Sequence, residues 1–116
     1  MLVMSDLNSD LQSEFERAAS ARSKGNEGQA RVCARRAAGI AIREYLTRQG
    51  TRPPSLSAYD LLNLIKEDPR LSPDLKLIAD HLTTRVNEEF KLPLDVDLVA
   101  EARLLCQGLL PDWDNQ

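Results

Sequence analysis

Aromatic residues and cysteines are scarce in this chain. Five aromatic residues and two cysteines occur among its 116 residues. With so few rings, the core must consist mainly of Leu, Ile, Val and Ala. Such a core favours helices, because strands are enriched in aromatic and β-branched residues. Cys33 and Cys106 belong to no CxxC motif or Cys/His cluster, so the sequence predicts free thiols, no metal site and no cofactor.

The chain also lacks the features of a segment that crosses or enters a membrane. Residues 1–10 contain no basic residue and do not resemble a signal peptide. No later stretch is long and apolar enough to span a bilayer. The net charge of −3 gives no general attraction to nucleic acid. We therefore expect one cytoplasmic domain over residues 1–116, with no membrane partner.

Apolar residues recur at helical spacing in five segments, and no segment shows the alternation of a strand. The predicted helices run from Asp6 or Asp10 to Arg22, from Gly28 to Gln49, from the cap Ser57 to Asp68, from the cap Ser72 to Val86, and from Asp95 or Asp97 to Pro111. Short connections favour antiparallel neighbours. The sequence thus predicts an all-α fold, an antiparallel (up-and-down) bundle of about five helices with the second helix at its centre.

The third helix has the clearest start signal. Ser57 followed by Asp60 has the form of a capping box, and Leu56 and Leu61 have the spacing of a hydrophobic staple. Ser72 before Pro73 gives the fourth helix a similar start.

Four arginines in the second helix are candidate contacts for an anion or a nucleotide: Arg31, Arg35, Arg36 and Arg43. Guanidinium groups match phosphates well. However, these four do not share one helical face at about 100° per residue. The alternative is a solvated face that pairs with acidic residues of the later helices.

The second helix carries a second apolar seam opposite its alanine-rich face. Val32, Gly39 and Leu46 are spaced seven apart, and a mid-helix glycine suggests that a backbone packs closely there. Either the helix is surrounded by its own bundle, or the seam is shared with a second copy in a homodimer. In a homodimer the flanking arginines could meet Glu88 or Asp95 of the other copy.

Few residues suggest catalysis. No P-loop, dinucleotide fingerprint, nucleophile elbow or HExxH motif is present. His81, the single histidine, has no orienting partner among its neighbours on the predicted helix, so we expect it to lack one and to lie at the boundary of the core or at the surface. We expect no catalytic residues. Trp113 is expected either to fold back over the end of the bundle or to enter a partner's groove.

The order of elements resembles the HEPN domains, a family of small helical bundles. The resemblance lies in residues 30–38 with Tyr45 and Leu46, and in residues 97–103. Such families include ribonuclease toxins and non-catalytic binding modules, which are often dimeric. The toxins carry an Arg and a His with four to six residues between them, whereas here the residue five before His81 is Lys76 and not an Arg. The resemblance therefore implies a non-catalytic member.

These observations lead to two functional hypotheses. The first is a non-enzymatic, HEPN-like interaction module that self-associates as a homodimer or docks on a protein partner. The alternative is a nucleotide- or RNA-binding or processing protein of toxin–antitoxin type. Binding that weakens steeply with salt would favour the alternative.

Overall fold

The computed structural model describes residues 4–84 and 96–113, and within these ranges it contains five helices and no strand. The helices are α1 (Met4–Ser23), α2 (Glu27–Arg48), α3 (Ala58–Ile65), α4 (Pro73–Thr83) and α5 (Leu98–Leu109). They pack into a compact bundle, so the all-α fold class is confirmed. Val86 and the alternative cap Asp95 lie outside the described residues.

Helix α2 occupies the centre of the bundle, as the sequence predicts. Helices α1, α3 and α5 all pack against it. Its small buried side chains, including Ala34, Ala37 and Ala41, let neighbouring helices approach closely. The Cys106 Sγ on α5 lies 3.7 Å from the Ala37 carbonyl oxygen. Close packing of this kind requires the alanine-rich composition of α2.

Helix α3 begins where its cap predicts. The Ser57 hydroxyl accepts a hydrogen bond from the Asp60 backbone N–H at 3.3 Å. The Ser55 hydroxyl accepts from the Ser57 N–H and donates to the Asp60 carboxylate, so that Ser55 links the two ends of the capping box. The predicted staple is wrong, because Leu56 is 81% exposed and does not pack beside Leu61.

The caps of α4 and α5 also follow from the sequence. The Ser72 hydroxyl accepts from the Leu75 N–H at 3.3 Å. Asp97 caps α5 by accepting from the N–H groups of Val99 and Ala100, which decides between the two predicted starts. Side chains with an acceptor oxygen stabilise these ends, because the first N–H groups of a helix have no partner within it.

The directions of the helices follow from their contacts. His81 and Leu75 on α4 approach Glu101 and Gly108 on α5, so α4 and α5 are antiparallel. Helix α3 starts beside the middle of α2, where Ala58 meets Gly39. The connection over residues 49–57 brings the chain back along α2 to this point.

Trp113 folds back onto the bundle, the first of its two predicted placements. It is 3% exposed, and its ring stacks on Phe15 of α1 with centroids 5.5 Å apart. The Arg103 guanidinium lies over the same Phe15 ring at 4.4 Å. This cluster fastens the end of α5 to α1.

Both cysteines are free and buried, as predicted. Burial raises the pKa of the Cys106 thiol to about 12. Because only the thiolate is an effective nucleophile, this cysteine is chemically inert in the folded chain.

Candidate functional site

The four predicted anion contacts of α2 do not act as a group. Arg35 is committed to the fold: its Nε donates to the Leu82 carbonyl at 2.7 Å and its Nη2 donates to the Thr84 carbonyl at 3.3 Å. These carbonyls end α4, where a cation compensates both the unsatisfied acceptors and the helix dipole. Arg35 is therefore a structural cap for α4, and these two nitrogens of its guanidinium group are engaged within the fold rather than offered to an anion.

Arg36 and Arg43 remain together on one side of α2. They line a cleft of about 210 Å³, called here the arginine cleft, with Glu14, Gly39, Ile40, Leu56 and Ala58. Neither guanidinium forms a hydrogen bond or an ion pair with another residue in the described ranges. Arg31 is half-buried and does not line this cleft.

Glu14 gives the arginine cleft a carboxylate as well as two guanidinium groups. Its Oε1 is buried without a hydrogen-bond partner, and its Oε2 is 3.8 Å from Arg17. A carboxylate at the wall of the cleft disfavours a densely charged anion such as a phosphate. The cleft is thus less suited to nucleotide binding than the arginines alone suggest.

The predicted seam is not an exposed face of the chain. Leu46 is buried in the core, and Gly39 is covered by α3. A Cβ placed on Gly39 would lie 3.0 Å from the Cβ of Ala58 and 3.2 Å from its Cα. The glycine therefore serves a close approach, as predicted, but the approaching backbone belongs to the same chain.

Val32 alone of the seam is exposed, with 36% of its surface accessible. A second copy consequently cannot use all three residues while the bundle keeps this packing. The suggested acidic partners Glu88 and Asp95 lie outside the described residues. Formation of a homodimer remains a prediction, and it requires a different surface.

His81 has an orienting partner that the sequence did not reveal. Its Nδ1 lies 2.7 Å from the Glu101 Oε1, and the two side chains are only 15% and 22% exposed. The expectation that His81 lacks a partner is therefore wrong. The partner comes from α5, twenty residues later. Helical neighbours alone could not identify it.

The His81–Glu101 pair does not extend to a larger polar cluster in the described part of the chain. No group of three or more His, Cys, Asp or Glu side chains there could hold a metal ion. Within the described residues, neither side chain forms a hydrogen bond with a serine, threonine or cysteine side chain. The pair joins α4 to α5, and it lacks the nucleophile that a covalent mechanism would need.

A second concave surface lies between the ends of α2 and α3. This α3 cavity has a volume of about 410 Å³. Apolar side chains form most of its wall: Leu46, Leu64, Ile65 and Pro69. Thr51, Glu67, Asp68 and Arg70 complete it. Leu64 is 41% exposed, so the apolar wall is accessible from solvent.

Polar side chains at the edge of the α3 cavity are bonded to one another. Arg70 makes two hydrogen bonds to the Asp68 carboxylate, each of 3.0 Å, and a third of 2.6 Å to Gln49. The Tyr45 hydroxyl donates to Asp68 at 3.3 Å. These bonds fix the edge of the cavity in one arrangement.

The charges of this network are stable near neutral pH. Hydrogen bonds from Arg70 lower the pKa of Asp68, which stays ionised. Burial, followed by the charge of Asp68, raises the pKa of Tyr45, which stays protonated. Neither group is tuned towards neutral pH, as a general acid or base would be. The network is therefore suited to shaping the cavity rather than to proton transfer.

Comparison with known proteins found no matching family model, no similar curated protein and no similar solved structure. The HEPN resemblance consequently rests on the residues of this chain alone. No helix in the described ranges has the length and apolar character needed to cross a bilayer.

Proposed function

We propose that this chain is a non-enzymatic, HEPN-like interaction module of the cytoplasm that binds protein through the α3 cavity. The observation that carries this proposal is an apolar cavity of about 410 Å³ whose mouth is open to solvent. Proteins that bind other proteins concentrate binding energy where a partner's large side chain fills such a pocket. The α3 cavity offers this kind of pocket.

The chemistry of the cavity supports an apolar side chain as its occupant. Removing a leucine-sized side chain from water contributes roughly 1.5–3 kcal/mol. The nearby charges of Arg70 and Asp68 already satisfy each other, so a partner need not supply a counter-charge for them. Fixed walls also reduce the entropy lost on binding, because little has to be reordered.

The polar pairs elsewhere favour a role without catalysis. His81 and Glu101 are bonded to each other, and Tyr45 and Asp68 belong to the edge network. Each of these groups has a structural partner within the described residues. An orienting carboxylate alone does not make His81 catalytic, because acid–base catalysis of bond cleavage also needs a second proton-transfer group, and none is bonded to this pair in the described residues.

Nucleotide or RNA binding remains the second candidate, because Arg36 and Arg43 are without partners in the described ranges. An RNA complex held by such contacts should weaken steeply as salt rises. Affinity for a single-stranded RNA oligonucleotide, measured at low and high salt, tests this candidate. The interaction-module proposal predicts no saturable binding at either.

A titration followed by methyl NMR tests the proposed function. Dilute protein is titrated with N-acetyl-L-leucinamide, which mimics a partner's leucine, and separately with N-acetylglycinamide, which lacks the side chain. We expect the leucine probe to shift the methyl signals of Leu46, Leu64 and Ile65, and the glycine probe to leave them unchanged. Equal shifts with both probes, or none at these residues, would refute the proposal.

A further inference from the structure

We propose that the partner of the α3 cavity is a second copy of this chain, which inserts its Leu56 in a two-fold symmetric dimer. This inference rests on the proposed function, since it names the occupant of the same cavity. Leu56 is the most exposed large apolar side chain among the described residues, at 81%. It has no role in the core of its own bundle.

Leu56 and the α3 cavity flank the same short helix, α3. Thr51, at the start of the segment that leads to Leu56, lines the cavity. Ser55 bonds to Asp60 and thereby holds the same segment against the first turn of α3. Leu64 extends from the last turn of α3 into the cavity. The projecting leucine and the cavity therefore lie at opposite ends of an eight-residue helix about 12 Å long, a distance that one approaching surface can span.

This arrangement suits a two-fold axis. In a two-fold dimer the same patch is used on both copies, and each contact occurs twice. An axis between Leu56 and the cavity places the Leu56 of each copy over the cavity of the other. Two leucines are then buried at once, and the assembly closes at two copies.

Charge complementarity supports this pairing over a chance apolar contact. Arg36 and Arg43 line the arginine cleft together with Leu56. Glu67 lines the α3 cavity, and its carboxylate has no hydrogen bond or ion pair with another described residue. Insertion of Leu56 brings the arginines of one copy towards Glu67 of the other. The guanidinium groups, which have no partner among the described residues, then lie at the polar rim of an interface.

Sedimentation equilibrium of the full chain, from micromolar to millimolar concentration, tests the dimer. We expect the wild type to dimerise, and Leu56→Ser to raise the dissociation constant at least about tenfold. Leu104→Ser is the matched control, because Leu104 is an exposed leucine on α5 that lies outside the cavity and the cleft. A wild type that stays monomeric throughout, or equal effects of the two substitutions, would overturn the inference.

Disulfide cross-linking tests the geometry. Under oxidation, a mixture of Leu56→Cys and Leu64→Cys chains should form a disulfide-linked pair, because the two positions of different copies adjoin. A mixture of Leu56→Cys and Leu104→Cys chains should not. The native cysteines are buried and do not compete. Equal cross-linking in both mixtures would contradict the proposed docking even if a dimer exists.

Failure of the dimer can be distinguished from failure of the proposed function. In Leu56→Ser no second copy can fill the cavity with this leucine. N-acetyl-L-leucinamide should therefore still shift the methyl signals of Leu64 and Ile65 in that variant. If it does while the wild type is monomeric, the cavity takes another partner and only the dimer is wrong. If it does not, both proposals are wrong.

Discussion

Replacing Gly39 by alanine tests the packing of α2 against α3. Two effects oppose each other. Alanine in a helix interior is favoured over glycine by about 1 kcal/mol. The added Cβ, however, would lie 3.0 Å from the Ala58 Cβ and 3.2 Å from its Cα. Overpacking of this kind costs roughly 1–3 kcal/mol.

Ala58 cannot easily move away from a new methyl group. It is the first residue of α3 and directly follows the cap Ser57. The hydrogen bond between Ser55 and Asp60 joins the residues on either side of it. We therefore expect Gly39→Ala to lower the free energy of unfolding by about 1 kcal/mol, the difference between a mid-range packing cost and the helix gain. The melting temperature should fall by about 4 °C.

Urea unfolding with linear extrapolation measures this change, and Gly28→Ala supplies the control on the same helix. A Cβ on Gly28 would meet only the Asn26 Oδ1, at 3.9 Å. That variant should be as stable as the wild type or slightly more so. If Gly39→Ala proves equally stable, the close approach of Ala58 does not constrain position 39 and the reasoning fails.

Three further substitutions test other parts of the fold. Ser57→Ala should lower the free energy of unfolding by about 1 kcal/mol through the lost cap, whereas a neutral result would place the start of α3 elsewhere. Trp113→Ala should cost about 3 kcal/mol, because the ring is buried against Phe15; an unchanged melting temperature would mean that the tail does not pack. Hydrogen bonds from Arg22 lower the pKa of Asp97 in the folded chain. Its stabilisation should be present above the ordinary carboxyl pKa of about 3.9 and be lost as the pH falls through the lower folded-state pKa. Asp97→Asn retains a capping side chain and should remove this part of the dependence of the unfolding free energy on acidic pH. If that dependence is the same in the variant as in the wild type, the role given to Asp97 is refuted.

Local signals in the sequence were sufficient for the helices. The caps Ser57 and Ser72 act on N–H groups within three residues, so their effect can be read without knowing the fold. The apolar residues that recur at helical spacing in α1 and α5 are buried, as that spacing predicts. Asn26 caps α2 by accepting from the Gln29 N–H, so the helix begins at Glu27, one residue before the predicted start at Gly28.

Contacts between distant segments were not predictable. The sequence indicated that position 39 needs a small residue. It did not indicate the neighbour, Ala58, which lies beside Gly39 only because the connection after α2 returns along that helix. Arg35 and His81 likewise find their partners, the end of α4 and Glu101, across the bundle. Helical periodicity describes the faces of one helix and does not say which face of another helix will meet it.

The α3 cavity had no sequence signal for the same reason. Its wall combines Leu46 from α2 with Leu64, Ile65 and Pro69 from the region of α3. Taken alone, each of these residues has the sequence pattern of an ordinary core residue. Only the position of α3 relative to the end of α2 leaves a space between them.

An RNA-cleavage assay tests most directly the claim that this chain is not a catalytic member of the family it resembles. The purified wild type is incubated with a single-stranded RNA oligonucleotide, and His81→Ala is assayed beside it. We predict intact RNA with both proteins, because the described ranges hold no second acid–base side chain bonded to the His81–Glu101 pair, and such a group is needed to protonate the leaving oxygen while a base deprotonates the RNA 2′-hydroxyl. Cleavage by the wild type that His81→Ala abolishes would contradict the account.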